Sequence, residues 1–169
     1  MMMASKMGVA AARSTRAFAT RAARASPEVT EACVAALKAA LDERAGGLLS
    51  NNAVVSTNPN ILEAHGRDES FHSSIAPDAV VFCSSTDEVV TAVKICAEHG
   101  LPVVPFGAGT SLEGHVNAIE GGVSLDLTGM NQMVEVNEED LDCRVQAGVT
   151  RLQLNDELRH TGLTFTVDS

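Results

Sequence analysis

Tryptophan and tyrosine are absent from the 169 residues, and five phenylalanines hold the aromatic content at 3%. So little aromatic surface offers almost no platform on which bases could stack. The 22 acidic residues outnumber the 12 basic ones, for a net charge of -10, and such a balance repels a phosphate backbone. Together the two exclude nucleic-acid binding. No apolar run approaches the roughly 18–20 residues of a membrane-spanning helix, so no transmembrane segment is expected. Cysteine is sparse: Cys33, Cys83, Cys96 and Cys143 include no close pair, which removes both a CxxC metal knuckle and a redox dithiol. With no secretory hydrophobic core at the N-terminus, the four are read as small buried hydrophobes in a reducing interior.

Acid is also missing from one stretch. Up to Pro27 the chain carries Lys6, Arg13, Arg16, Arg21 and Arg24 with no Asp or Glu, while the remainder holds seven basic and 22 acidic residues. Ala-, Arg-, Ser- and Thr-rich composition of this kind is that of an organelle transit peptide. Residues 1–25 are therefore expected to be a mitochondrial address, with Arg13 to Thr20 resembling a processing region. A chloroplast address and a basic tail are the alternatives.

Local patterns outline the rest. Ser26-Pro27 is a helix start, with Ser as N-cap, Pro at the first helical position and Glu28 beside the positive helix end. Val29, Cys33, Ala36, Leu37, Ala40 and Leu41 recur at three- and four-residue steps until Gly46-Gly47. Residues 50–60 are dense in turn formers and read as a loop. Ala79–Cys83 is a buried strand, and Ser85 and Glu88 form a capping box. The helix that follows is expected to gather Val89, Val93, Ile95, Cys96 and Ala97 largely on one side, and to end at His99-Gly100. Leu101–Val104 is a second strand, so this strand–helix–strand unit reads as a right-handed parallel crossover. Val123–Leu127, Met133–Val136 and Asp142–Gln146 alternate as strands, with Glu138-Glu139-Asp140 a solvated turn. Thr150–His160 is a helix, and Leu163–Val167 begins another strand.

The second strand runs into PFGAGTSLEGH, Pro105 to His115. Three glycines in eight residues after a buried strand let backbone N–H groups converge on an anion, and Thr110 and Ser111 add hydroxyl donors. A diphosphate is the natural guest; a merely tight turn is the bland alternative. The dinucleotide fingerprint GxGxxG fails because Leu112 stands where its last Gly belongs. The Walker loop fails because His115 replaces its Lys.

Taken in order, several blocks resemble one family: His65-Gly-Arg-Asp-Glu-Ser70, Pro77-Asp-Ala-Val-Val81, the loop itself, Gly121-Gly-Val123 and Gln146-Ala-Gly-Val-Thr150. They are similar to the FAD-binding domain of FAD-linked oxidases of the p-cresol methylhydroxylase/vanillyl-alcohol oxidase type. The branch they most resemble oxidises D-2-hydroxy acids and includes the cytochrome-linked D-lactate dehydrogenases, with glycolate and D-2-hydroxyglutarate dehydrogenases as relatives. The resemblance covers roughly Ile61 to Asp168. It implies an α+β fold: the first subdomain of this FAD-binding domain, a small parallel β-unit flanked by helices with further short strands. The domain is expected to be incomplete at its C-terminus, where the family continues into a second Gly-rich segment. The division is then 1–25 transit peptide, 26–60 helix and loop, and 61–169 partial FAD-binding domain.

The resemblance further implies noncovalent FAD, with its pyrophosphate wrapped by Pro105, Phe106, Gly107, Ala108, Gly109, Thr110, Ser111, Gly114 and His115. Many members have Gly where His115 stands. The implied reaction is oxidation of a D-2-hydroxy acid, D-lactate first, with electrons passed from flavin to cytochrome c or another acceptor. The family's catalytic base and divalent-metal ligands lie downstream of this stretch, so no residue here is named as catalytic and no metal is assigned. A chain holding half the cofactor's walls would be inactive alone and prone to aggregate through uncovered apolar surface.

The remaining polar residues have plainer readings. His65 and His72 fall on an irregular segment without a third ligand, and the His65–Ser70 stretch reads either as a salt-bridged turn or as a polar rim of the flavin cleft. His99 and His160 sit at helix ends, and Asp126 is read as an outward side chain of a strand.

Overall fold

The computed structural model describes residues 24–41 and 54–166. The expected transit segment up to residue 23, Gly46-Gly47 and Val167 lie outside the described residues. The first described helix, α1 (Pro27–Leu41), starts where the Ser-Pro signal places it, with Ser26 accepting the Val29 amide at 3.5 Å. Its buried stripe is Cys33, Leu37 and Leu41. Just before it, Arg24 reaches the Asp78 carboxylate, which ties the approach to α1 onto the body.

The turn-rich stretch before residue 60 holds more structure than a loop. Val55–Ser56 is a two-residue strand, β1, and Asn58 caps a short helix, α2 (Pro59–His65), by accepting the Asn60 amide at 3.0 Å. The remaining elements are β2 (Ala79–Phe82), α3 (Thr86–Glu98), β3 (Val103–Phe106), β4 (Val123–Asp126), β5 (Met133–Asn137), β6 (Asp142–Val145) and α4 (Arg151–Leu158). The expected final strand is absent: residues 163–166 form no strand among the described residues.

Four strands form one sheet in the order β1-β2-β4-β3, and β5-β6 is a separate antiparallel hairpin around the acidic turn. β2 and β3 are parallel, as the strand–helix–strand reading requires, but they are not neighbours. β4 inserts between them and pairs in parallel with both. The sheet's two edges resist further pairing: β1 is two residues long, and β3 carries Pro105, which lacks a donor.

Insertion makes β4 the central strand, and all four of its residues are buried. Val123 and Leu125 point to the face covered by α1 and α3, where they join Cys33, Leu37, Leu41, Val81, Cys83, Ala92 and Cys96 in the core. Ser124 and Asp126 therefore point to the opposite face, over which α2 lies. Asp126 is thus buried at 5% exposure, not outward as its alternation implies. α3 buries Ala92 and Cys96 with Val89 and Ile95 partly covered, whereas Val93 and Ala97 face solvent, so its buried stripe is rotated from the expected one. Its cap is also a variation: Ser85 accepts the Glu88 amide at 3.3 Å, but the Glu88 carboxylate returns to Ser84, not to Ser85. All four cysteines are free, three of them buried and Cys143 half-buried. Among the described residues no helix is long and apolar enough to cross a membrane.

Two substitutions measure these supports. Leu37→Ala empties a fully buried site and is expected to cost about 2–5 kcal/mol. Ser85→Ala leaves the α3 N-terminus one acceptor short and is expected to cost about 1 kcal/mol. Urea-denaturation midpoints check both, and an inverted order would contradict the packing described.

A cleft between the glycine loop and the N-terminus of α4

β2, β3 and β4 end level with one another: Phe82, Asp126 and Phe106 are register partners across the sheet. The loop after Phe106 turns out over this edge. Its first residues, Gly107, Ala108 and Thr110, form one wall of a cleft of about 580 Å³. Thr128 and Asn131, from the turn after β4, line it as well, and Gly148 to Gln153 form the opposite wall.

That opposite wall is the start of α4. Thr150 caps the helix by accepting the Gln153 amide at 3.2 Å, and Arg151, Leu152 and Gln153 of the first turn face the cleft. A helix N-terminus presents unpaired amides equivalent to about half a positive charge, which suits an anion. The wall is held against the turn after β4 by a close backbone approach. The Gly148 amide donates to Met130 O at 2.8 Å, and a Cβ at Gly148 would lie 2.2 Å from Leu127 O. Gln153 adds a bond from its side-chain amide to Asn131 O at 2.7 Å.

The loop's own glycine at the cleft behaves differently. A Cβ at Gly107 would meet nothing within 4 Å, so the space beside this backbone is open to a guest. The cleft is lined by Thr110, Thr128 and Thr150 hydroxyls, by Arg151 and by the first turn of α4, with the open Gly107 backbone in its loop wall. The residues present fit a phosphate-bearing group.

Of the nine residues the sequence points to, Gly107, Ala108 and Thr110 line this cleft. Pro105 is exposed on the edge strand, and Phe106 turns inward as a platform: Gly109 lies against its ring tip, where a Cβ would be 3.2 Å away. Ser111, Gly114 and His115 belong to the loop's second half, which is bound into the protein. The Ser111 hydroxyl lies 2.9 Å from His115 Nδ1 and accepts the Glu113 amide, while Ser111 O accepts the Glu69 amide. Gly114 packs against the His72 ring and Asn117. The His65–Ser70 stretch braces this half of the loop. Asp68 is buried, and its Oδ1 accepts the Ser70 amide at 3.1 Å. Ser70 holds the Asp68 carboxyl below its ordinary range, with lesser help from Ser111 and Gly114, against the opposing effect of burial.

Beneath the cleft lies a pair that sequence patterns do not reveal. His65 ends α2 at 7% exposure. Its Nδ1–H donates to Ile61 O at 2.8 Å, and Nε2 is 2.9 Å from Asp126 Oδ2. The imidazole packs on Phe106 at 4.3 Å between centroids and edge-on to Phe82 at 5.6 Å. Asp126 Oδ1 accepts from both the amide and the hydroxyl of Thr128, which reaches the cleft. Burial alone would lower His65, but the Asp126 and Ile61 hydrogen bonds and the Asp126 charge outweigh it and hold its pKa above the ordinary value. Burial correspondingly pushes Asp126 up, yet His65 and Thr128 keep it below the usual carboxylate range. Among the described residues no cluster of three or more His, Cys, Asp or Glu side chains is placed to hold a metal ion.

The α4 wall is the other part that residue patterns do not single out as a site. Its available signal is the Thr150-x-x-Gln153 capping pattern directly after Ala147-Gly148.

Comparison with known proteins bears on the family and the fold. A probable mitochondrial D-lactate dehydrogenase of Danio rerio is 51% identical over 114 residues, covering 68% of this chain and 23% of that protein. A mitochondrial D-lactate dehydrogenase [cytochrome] of Arabidopsis thaliana is 42% identical over 106 residues, or 62% and 19%. Glycolate oxidase subunit GlcD of Bacillus subtilis is 41% identical over 92 residues, or 54% and 20%. The chain thus spans about a quarter or less of the length of these curated relatives. In fold it matches p-cresol methylhydroxylase with a TM-score of 0.67 at 23% identity, over 82% of this chain and 26% of that one. Residues 77–169 match the FAD binding domain model, and the chain belongs to that family.

Proposed function

We propose that the chain binds FAD noncovalently, with the diphosphate seated between the Gly107–Thr110 backbone and the first turn of α4. We read it as the N-terminal part of a mitochondrial FAD-dependent D-2-hydroxy-acid dehydrogenase. D-Lactate is the favoured substrate, because two of the relatives described carry that activity in their names; glycolate is the second reading, on the Bacillus relative. The observation that carries the cofactor proposal is the open space beside Gly107, opposite a helix N-terminus.

The residues divide the work as follows. The Gly107 and Ala108 backbone approaches the diphosphate without side-chain obstruction, and Thr110 brings a hydroxyl. The α4 amides and Arg151 supply positive potential from the far wall. Thr128 and Asn131 set the floor's width. When bound, FAD supplies a two-electron acceptor that can release electrons singly, which suits transfer to cytochrome c. No residue of this chain is assigned as the base that takes the hydroxyl proton.

FAD titrated into the full chain, followed by quenching of flavin fluorescence, is expected to saturate. Gly107→Val should weaken binding at least tenfold while leaving the urea midpoint nearly unchanged, because its side chain enters the guest's space and its Cβ meets no protein atom within 4 Å. Gly109→Val is the poorer probe, since it strains a positive φ and strikes Phe106. Equal FAD affinity in wild type and Gly107→Val would sink the placement of the diphosphate. D-Lactate added to the FAD-loaded chain is expected to give no bleaching of flavin absorbance at 450 nm. Bleaching would show that this chain already holds a base and a substrate pocket.

A further inference from the structure

The His65–Asp126 pair sits where the glycine-loop wall and the turn after β4 that floors the cleft begin. Phe106, which leads directly into Gly107 and Ala108, packs against the imidazole. Thr128, on the turn after β4, is held at its amide and its hydroxyl by the Asp126 carboxylate. Resting on the cofactor reading above, we propose that His65 is a positioning residue of the FAD cleft: its imidazolium fixes Asp126 and Phe106, and through them the spacing between Thr128 and the glycine loop.

The charge state follows from the hydrogen bonds. A carbonyl only accepts, so Nδ1 facing Ile61 O must carry a hydrogen. Asp126 Oδ1 accepts two bonds from Thr128, and Oδ2 faces Nε2 at 2.9 Å. An ionised carboxylate there requires Nε2 to carry a hydrogen as well. Both nitrogens protonated is the imidazolium. A neutral ring has one N–H: it must either release Ile61 or turn a lone pair toward the carboxylate. In the second case Asp126 keeps its two Thr128 bonds but becomes a buried charge without a counter-charge, a state that relaxes by moving.

The groups facing His65 are few. β4 contributes Asp126, β2 contributes Phe82, and β3 contributes Phe106. Cys83, next to Phe82, is the other titratable group that feels Asp126; burial first, then Glu88 and Asp126, push its thiol up to about 11, so it stays neutral. Glu63 lies on the exposed side of α2. His65 is held above 6.5, so the stability it contributes is complete below 6.5 and is lost as pH rises through its folded value. Asp126 is held below 3.8, so its contribution is present above 3.8 and lost as pH falls through its folded value. Between the two limits the pair is intact.

The test uses the full chain with FAD as the probe, titrated from pH 5.5 to 9, beside His65→Gln and Asp126→Asn. Wild-type affinity is expected to fall about tenfold across the alkaline limb. Both variants should bind at least tenfold more weakly at pH 6 and show no such limb. By reciprocity, FAD should raise the His65 midpoint as much as protonation raises affinity. A wild-type pH profile in His65→Gln, with FAD binding retained, overturns the proposal and leaves the cofactor reading standing. Failure of the wild type to bind FAD sinks the cofactor reading and the functional half of the proposal with it.

The positional half is tested without cofactor or mutation. In ¹⁵N spectra of the wild-type chain, both His65 nitrogens should be protonated at pH 6, and the Thr128 amide should titrate with the His65 midpoint. A Thr128 amide indifferent to His65 overturns the proposal even where a variant fails to fold.

Discussion

A carboxylate at the end of a strand covered on both faces is the constraint around which this molecule is arranged. Asp126 is almost wholly shielded from water, and an unpaired charge there would oppose folding by several kcal/mol. Its partners come from both directions along the chain. His65 arrives from α2, 61 residues upstream, and Thr128 folds back from the turn two residues on. Satisfying Asp126 therefore recruits α2 to the sheet face and gives the turn after β4 its shape. A burial problem in the core thereby becomes a positional rule for the cleft above it.

The glycine loop divides along the same logic. Its second half is fastened: Ser111 is bonded through its hydroxyl and its carbonyl, and Gly114 is pressed against His72 and Asn117. Its first half is backed by the Phe106 ring on one side and opens to the cleft on the other. A loop that must offer amides to a ligand cannot spend them on itself, and a loop with no bonds would cost too much entropy to hold in place. Fastening one half and leaving the other open resolves the conflict. Opposite it, Gly148 lets the α4 segment approach Leu127 O closely enough that the two walls share one backbone foundation.

How much of this could be read from residues alone depended on how local its cause is. The capping serine of α3, the Ser-Pro start of α1 and the acidic hairpin turn are local signals, and each element lies where they put it. β1 has two residues, too few for any period to register, and α2 hides among the turn formers that cap it. The insertion of β4 between β2 and β3 is a choice of strand order, which no local pattern encodes. The burial of Asp126 is hidden from the sequence for the same reason. An alternating Val-Ser-Leu-Asp segment looks half-exposed until a helix is known to cover the second face. The cleft is half legible: three glycines after a strand announce one wall, whereas the α4 wall carries a block that resembles the family and a capping pattern shared by ordinary helices, neither of which marks it as a wall.

The fold itself is kept with little shared sequence. At 23% identity the match to p-cresol methylhydroxylase still reaches a TM-score of 0.67. A site made of main-chain amides, an open glycine and a helix terminus constrains where the backbone runs far more than which side chains it bears. In the cleft described here the positions that set backbone proximity are Gly148, where a Cβ would lie 2.2 Å from Leu127 O, and the residues holding Thr128. His65 and Asp126 belong with the glycines in this respect, although neither touches the cleft. They act on the path of the chain, and the path of the chain is what the cleft is made of.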